Sequence, residues 1–198
     1  MAAKVFQGRR GRDPRLPPGQ YDVGSSFPVL TAEATPNVRL DRWSFRVDGL
    51  VAAPREWTWS DVAGMSARTW RGDIHCVTTW SKLDTSFTGI PLDDLLAEVD
   101  VAPGASHVVA WSSTGYTTNL PIEDVTGGRA WLVWEHEGRP LPVEHGGPVR
   151  MLVPHLYFWK SSKWGRRAAS ARPRRAGVLG DPRLPPARGP VGGGALRR

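Results

Sequence analysis

Residues 165–198 hold nine Arg, seven Gly, six Ala and five Pro but no aromatic residue, and their large apolar side chains are three Leu and two Val. A stretch of that composition cannot bury enough apolar surface to offset the entropy of ordering it, so it is read as a disordered tail. It also carries a net charge of +8, leaving −1 on the other 164 residues, so the whole-chain charge of +7 describes the tail and not the body. The folded part is therefore expected over residues 20–164, preceded by a basic Pro/Gly-rich arm over residues 1–19. The hexapeptide Asp-Pro-Arg-Leu-Pro-Pro occurs at 13–18 and again at 181–186. One recurrence at that spacing does not make a solenoid.

The body punctuates short apolar runs with Gly and Pro. Trp43-Ser44-Phe45-Arg46-Val47 alternates with period two and ends at Asp48-Gly49, the pattern of a half-buried strand closed by a turn. Residues 108–111, 130–134 and 149–153 are further runs of strand formers. Two short helices are expected, at residues 60–64 and 91–97, the second with Pro91, Asp93 and Asp94 in its first turn. Many short strands with few, irregularly placed helices predict an α+β, mainly-β fold of mixed sheets and exclude a doubly wound dinucleotide fold. No apolar run approaches the length of about 18 residues that spans a bilayer, and no secretory signal is recognisable. One cysteine, Cys76, cannot form an internal disulfide, so a reducing, cytoplasmic setting is expected.

Nucleotide-binding loops of the Gly-x-Gly-x-x-Gly or Gly-Lys-Ser/Thr type are absent. His75, His107, His136, His145 and His155 include no pair at the i, i+4 spacing of zinc hydrolases. Asp93, Asp94, Glu135 and Glu137 read as solvated charges. Two segments carry the chemistry. In Arg71-Gly72-Asp73-Ile74-His75-Cys76-Val77-Thr78-Thr79-Trp80-Ser81-Lys82 a single thiol lies among cationic and hydroxyl side chains. Cys76 is there either a nucleophile or soft metal ligand, or a buried small apolar residue. In the stretch from Leu141 to Trp164, His145, Arg150, Lys160 and Lys163 could surround an anion, and Gly146-Gly147 would let backbone approach a ligand closely.

Taken in order, these segments resemble the molybdopterin-binding domain of the sulfite oxidase family, especially its bacterial members near the methionine sulfoxide reductase catalytic subunit. The resemblance runs from Arg15-Leu16-Pro17-Pro18-Gly19-Gln20 through Phe27-Pro28-Val29-Leu30, residues 73–82, Tyr116-Thr117-Thr118-Asn119-Leu120-Pro121 and Thr126-Gly127-Gly128 to Trp164. It implies a sulfite-oxidase-type fold, a molybdenum–molybdopterin cofactor with one pterin dithiolene and no haem, and two-electron oxo transfer. It further implies that Cys76 is the single protein ligand of molybdenum. His145 and Arg150 fall where the family contacts the pterin and its phosphate, Ser161, Ser162 and Lys163 in the phosphate-holding loop, and Ser113 near a further pterin contact. His75, Lys82 and Tyr116 are candidate substrate-pocket residues.

In animal and plant members an Arg shortly after the ligand Cys helps hold sulfite, whereas Lys82 is the nearby cation here. A compact ammonium matches an oxyanion less well than a forked guanidinium, which favours a sulfoxide or another small oxo substrate. With no haem-attachment spacing in the chain, electrons are expected to come from or go to a separate partner. Family members continue past the pair equivalent to Lys163-Trp164 with more strand and a Trp-rich ending. The break at Gly165 instead has the composition of a shifted reading frame through GC-rich DNA. Two other readings follow from that tail: nonspecific nucleic-acid or anionic-surface binding through its charge, or an inactive relative that holds no cofactor. Specific nucleic-acid recognition and a membrane span are not expected.

Overall fold

The computed structural model describes residues 9–10, 13–31 and 34–172. The N-terminal half contains strands β1 (Arg9–Arg10), β2 (Tyr21–Asp22), β3 (Ser44–Gly49) and β4 (Arg55–Thr58), helix α1 (Trp59–Ala63), and the long hairpin strands β5 (Arg68–His75) and β6 (Trp80–Pro91). Helix α2 (Leu92–Ala97) follows, then β7 (His107–Ser112), β8 (Thr117–Pro121), β9 (Trp131–His136), β10 (Arg139–Pro140), β11 (Arg150–Leu152) and β12 (Gly165–Ala171). They form two sheets. One runs β1-β2-β6-β9-β10, with β5 also on β6 and β11 also on β9; the other runs β4-β3-β12-β7-β8. This is the α+β, mainly-β architecture expected from the sequence.

Local chemistry explains the helices. Thr58 and Asp61 form a capping box at α1: the Asp61 carboxylate accepts from the Thr58 N–H at 2.8 Å, and the Thr58 hydroxyl oxygen accepts from the Asp61 N–H. Pro91 caps α2, and the Asp93 carboxylate accepts from the N–H groups of Gly127 and Gly128 at 2.7 and 2.9 Å. Leu92, Leu95 and Leu96 turn into a core shared with Phe45, Trp57 and Leu120 of the five-stranded sheet. A second core gathers Ile74, Trp80, Phe87, Leu152 and Phe158 around Cys76.

The expected domain end at residue 164 is too early. Residues 165–171 form β12, the central strand of its sheet, parallel to β3 and antiparallel to β7. Ala168, Ala169 and Ser170 are buried there. A central strand needs little apolar side chain of its own when neighbours on both sides saturate its backbone hydrogen bonds. The fit is close: a Cβ on Gly49, whose φ is +90°, would lie 2.1 Å from the Ser170 carbonyl oxygen. Arg167, assigned from sequence to the tail, bonds Asp48 through Nη2 at 2.8 Å and lies 4.5 Å over the Trp111 ring. Burial alone would push the Asp48 carboxyl up, but the bonds from Arg167 and Arg46 outweigh it and hold it below the usual carboxylate range.

The N-terminal arm also joins the fold. Arg15 bonds Asp13, Asp73 and Asp84, and Pro17 and Gln20 are buried. Residues 1–8, the second copy of the hexapeptide and the expectations of disorder and of a shifted frame beyond residue 172 lie outside the described residues.

Candidate active site

A cavity of about 350 Å³ opens where the β5–β6 turn, residues 28–31, the start of the β7–β8 turn and the loop before β12 meet. Cys76, Tyr116, His145, Arg150, Ser161 and Lys163 line it, so six of the residues singled out from sequence are gathered from positions up to 87 apart. Its wall is otherwise mostly apolar, with Leu30, Trp80, Phe158 and Trp164 among the lining side chains, and the exposed Leu30 and Val77 sit at its rim.

Cys76 occupies the first position of a tight turn between the two longest strands. Its N–H donates to the Trp80 carbonyl at 2.8 Å and its carbonyl accepts from the Thr79 N–H at 3.0 Å, with Thr79 held at φ 73°. A buried relay fixes the same peptide from behind. Gln20 Nε2 donates to the Cys76 carbonyl at 3.0 Å, while Gln20 Oε1 accepts from the Ser81 hydroxyl at 2.8 Å. Ser81, having spent its proton, must accept from His75 Nδ1 at 2.8 Å, which places the imidazole proton on Nδ1. Burial pushes the His75 pKa down, so the ring stays neutral in this role.

Arg150 supplies the main electrostatic feature. Its side chain is almost fully buried on β11, with Nη1 donating to the His145 carbonyl and Nη2 to the Ser161 carbonyl, both at 2.6 Å, and its guanidinium lies 4.1 Å over the Phe158 ring. No described carboxylate pairs with it. Burial pushes its pKa down to about 9, only partly offset by attraction to Cys76 and Tyr116. Lys163 is similar: Nζ donates to the carbonyls of Leu30 and Glu144 at 2.7 Å, and burial together with Arg150 pushes its pKa down to about 8. Burial, then the Arg150 charge, lowers His145 to about 4, and the neutral ring stacks on Phe27 at 3.8 Å with the planes 5° apart.

Arg150, buried with no carboxylate partner among the described residues, is costly unless an anion binds near it, and the half-buried Lys163 adds a second positive charge on the same wall. The Trp80 indole N–H is buried in the same wall and has no hydrogen-bond partner among the described residues, a donor available to an acceptor. Among the described residues no three His, Cys, Asp or Glu side chains converge on a metal position. A metal at the Cys76 thiolate would therefore draw its other ligands from a bound group. An acceptor-rich, phosphate-bearing molecule with a flat ring system and a soft metal fits this set of donors, cations and aromatic walls.

Other expected positions lie elsewhere. Lys82 is buried on β6 with Nζ bonding the Gly24 carbonyl at 3.1 Å and paired with Glu137 at 3.3 Å, off the cavity lining. His75 belongs to the relay behind Cys76. Ser113 is exposed and meets Trp164 through its backbone N–H, and the cavity takes Ser112 instead. Ser162 is buried without lining the cavity. Lys160 turns away to Asn119. The Gly146-Gly147 pair serves the protein's own packing: a Cβ on Gly146 would meet Lys163 Cα at 2.9 Å, and one on Gly147 the Leu141 carbonyl at 2.1 Å. Sequence reasoning missed Gln20, Phe27 and Trp80. The chain's ten Trp are the one sequence signal that could have pointed toward the last.

Comparison with known proteins follows the same line. A family model described as oxidoreductase molybdopterin binding domain matches residues 32–176. The uncharacterized oxidoreductase YuiH of Bacillus subtilis is 40% identical over 153 residues, covering 77% of this chain and 77% of that protein. The protein-methionine-sulfoxide reductase catalytic subunit MsrP of Ralstonia nicotianae is 30% identical over 142 residues, 61% of this chain and 41% of that one. The sulfane dehydrogenase SoxCD from Paracoccus pantotrophus shares the fold, with a TM-score of 0.63 at 22% identity over 69% of this chain and 40% of its own. The chain thus spans less than half the length of these last two proteins.

Proposed function

The chain belongs to the oxidoreductases with a molybdopterin-binding domain, and from that premise we propose that Cys76 is its ligand to molybdenum and that the cavity beside it carries out oxo transfer on a sulfoxide or a similar neutral oxide. The sulfite-oxidase-type fold and the molybdenum–molybdopterin cofactor come with the family. The observation that carries the site assignment is the Cys76 thiol in one cavity with a buried Arg150 that has no carboxylate partner among the described residues.

When bound, the cofactor supplies two-electron redox chemistry coupled to oxygen-atom transfer. The chain's residues do the rest. Arg150 and Lys163 supply the positive charge that a buried phosphate requires, and the two carbonyls on each hold them in place when it leaves. His145, neutral and clamped by Phe27, offers a ring face and a hydrogen-bonding edge without adding charge. The Trp80 N–H would be available to donate to an acceptor on the bound group. Apolar walls keep bulk water from the thiolate, which strengthens every electrostatic contact inside.

Substrate enters past Leu30 and Val77. A sulfoxide has apolar substituents that such a rim accommodates, whereas among the described residues the cavity offers sulfite no cation beyond Arg150 and Lys163, whose charge the cofactor phosphate would take up, and Lys82 lies off the lining. Relatives named as protein-methionine-sulfoxide reductases are in keeping with this choice. Electrons are exchanged with a separate carrier protein. Among the described residues no helix is long and apolar enough to cross a membrane.

The test is turnover by metal-loaded protein. Oxidation of a reduced dye should depend on added methionine sulfoxide, vanish in Cys76→Ala, and greatly exceed any oxidation of sulfite with an artificial acceptor. Sulfite oxidation at the higher kcat/KM would overturn the substrate reading.

A further inference from the structure

Thr78 is the side chain of the β5–β6 turn that reaches back to the cysteine, its hydroxyl donating to Cys76 Sγ at 3.1 Å. We infer that Thr78 is a positioning residue that sets the redox potential of the metal through this hydrogen bond to the ligand sulfur. The inference rests on Cys76 being that ligand.

The turn leaves Thr78 little else to do. The Cys76 N–H is committed to the Trp80 carbonyl at 2.8 Å, so it does not serve the sulfur, and the Thr78 carbonyl is already occupied by the Thr79 hydroxyl at 2.6 Å. Val77 points outward, 51% exposed. Thr79 adopts φ 73°, a conformation uncommon for a β-branched residue and expected only where surroundings over-determine it. The Thr79 N–H closes the turn on the Cys76 carbonyl at 3.0 Å, so that Thr78, two residues after the cysteine, lies beside its sulfur. Thr78 also lines the cavity, so the bond lies on the side where a metal would sit.

The consequence follows from charge. A metal-bound thiolate donates electron density to the metal, and a hydroxyl proton aimed at the sulfur draws some of it back. The more reduced metal is then favoured relative to the more oxidised one, and the potential rises; hydrogen bonds to ligating sulfurs tune copper and iron–sulfur centres in this manner. A β-branched residue suits the task because its χ1 is restricted, which holds the hydroxyl on the sulfur at little entropic cost.

The experiment compares metal-loaded wild type, Thr78→Val and Thr78→Ser by redox titration followed through the Mo(V) EPR signal, with molybdenum content measured on each sample. Valine keeps the shape and removes the proton; serine restores the proton without the methyl. The expected result is equal metal content in all three, a lower potential with altered g-values in Thr78→Val, and values close to wild type in Thr78→Ser. Potentials and g-values unchanged in Thr78→Val would overturn the inference. So would a shift in Thr78→Ser as large as in Thr78→Val, which would assign the effect to packing. If Thr78→Val does not load metal, Thr78→Ala is held to the same criterion. Retained metal with an unmoved potential counts against Thr78 alone, whereas a wild-type EPR signal surviving in Cys76→Ser would remove the ligand assignment and the inference with it.

Discussion

Arg150 Nη1 donates to the main-chain carbonyl of His145 at 2.6 Å, tying a buried guanidinium to a neutral imidazole's backbone rather than to a carboxylate. A cation so placed is held in position by dipoles and keeps its charge available to a ligand. Arg150→Met removes the charge and the hydrogen-bonding fork but fills much of the same volume. In ligand-free protein two effects oppose: the desolvation of a buried cation is relieved, while the orphaned carbonyls of His145 and Ser161 cost about 1–3 kcal/mol each. The expected outcome is a small change in the thermal midpoint of the apoprotein together with at least a tenfold fall in retained pterin, measured by fluorescence after denaturation. Wild-type pterin retention would contradict the assigned role.

Trp80 separates a ligand role from a packing role more sharply. Its N–H, without a partner among the described residues, is a cost in the free protein, so in Trp80→Phe the relief of that cost offsets the lost ring packing and apoprotein stability should change by no more than about 1 kcal/mol. The same change should weaken cofactor binding by several-fold. Urea denaturation of the apoprotein and pterin retention read the two effects independently. A loss of apoprotein stability with unchanged retention would show that the indole only packs.

His145 predicts a pH dependence. Its folded pKa near 4 lies below the ordinary value of 6.5, so between those pH values the unfolded chain binds a proton that the folded one refuses. Stability from this group is therefore present above pH 6.5 and lost as pH falls through about 4. His75 and His136 are shifted in the same direction by burial, so the contribution of His145 is read as a difference. The stability of His145→Phe, which preserves a stack on Phe27, should fall less steeply than wild type from pH 6.5 to 4. Parallel curves would contradict the assigned burial.

What could be read from the sequence was what local chemistry decides. The capping residues of α1 and α2, the alternation in β3 and the runs of strand formers in β7 and β9 are properties of neighbouring residues, and those elements lie within a few positions of expectation. The β5–β6 hairpin was less legible because Ser81, Lys82 and Thr85 are polar and yet buried, which erases the alternation that marks a strand. β12 was hidden for the opposite reason. Its Ala, Ser and Arg residues carry almost no apolar signal, and its burial is supplied by β3 and β7 on either side. In the site, the thiol, guanidinium and ammonium announced themselves by residue type. Gln20 and Phe27 act through contacts 56 and 118 residues away, with Cys76 and His145, which no local pattern encodes. Lys82 is close to Cys76 in sequence but lies off the cavity lining, because the strand carries it to Gly24 and Glu137.

The most direct measurement is the molybdenum-to-protein ratio of wild type and Cys76→Ser, purified side by side from a host that makes the cofactor. The account predicts close to one metal per wild-type chain and at least a tenfold loss in the variant, with both proteins equally folded by circular dichroism. Equal metal in the two would contradict the central claim that the Cys76 thiolate is the molybdenum ligand.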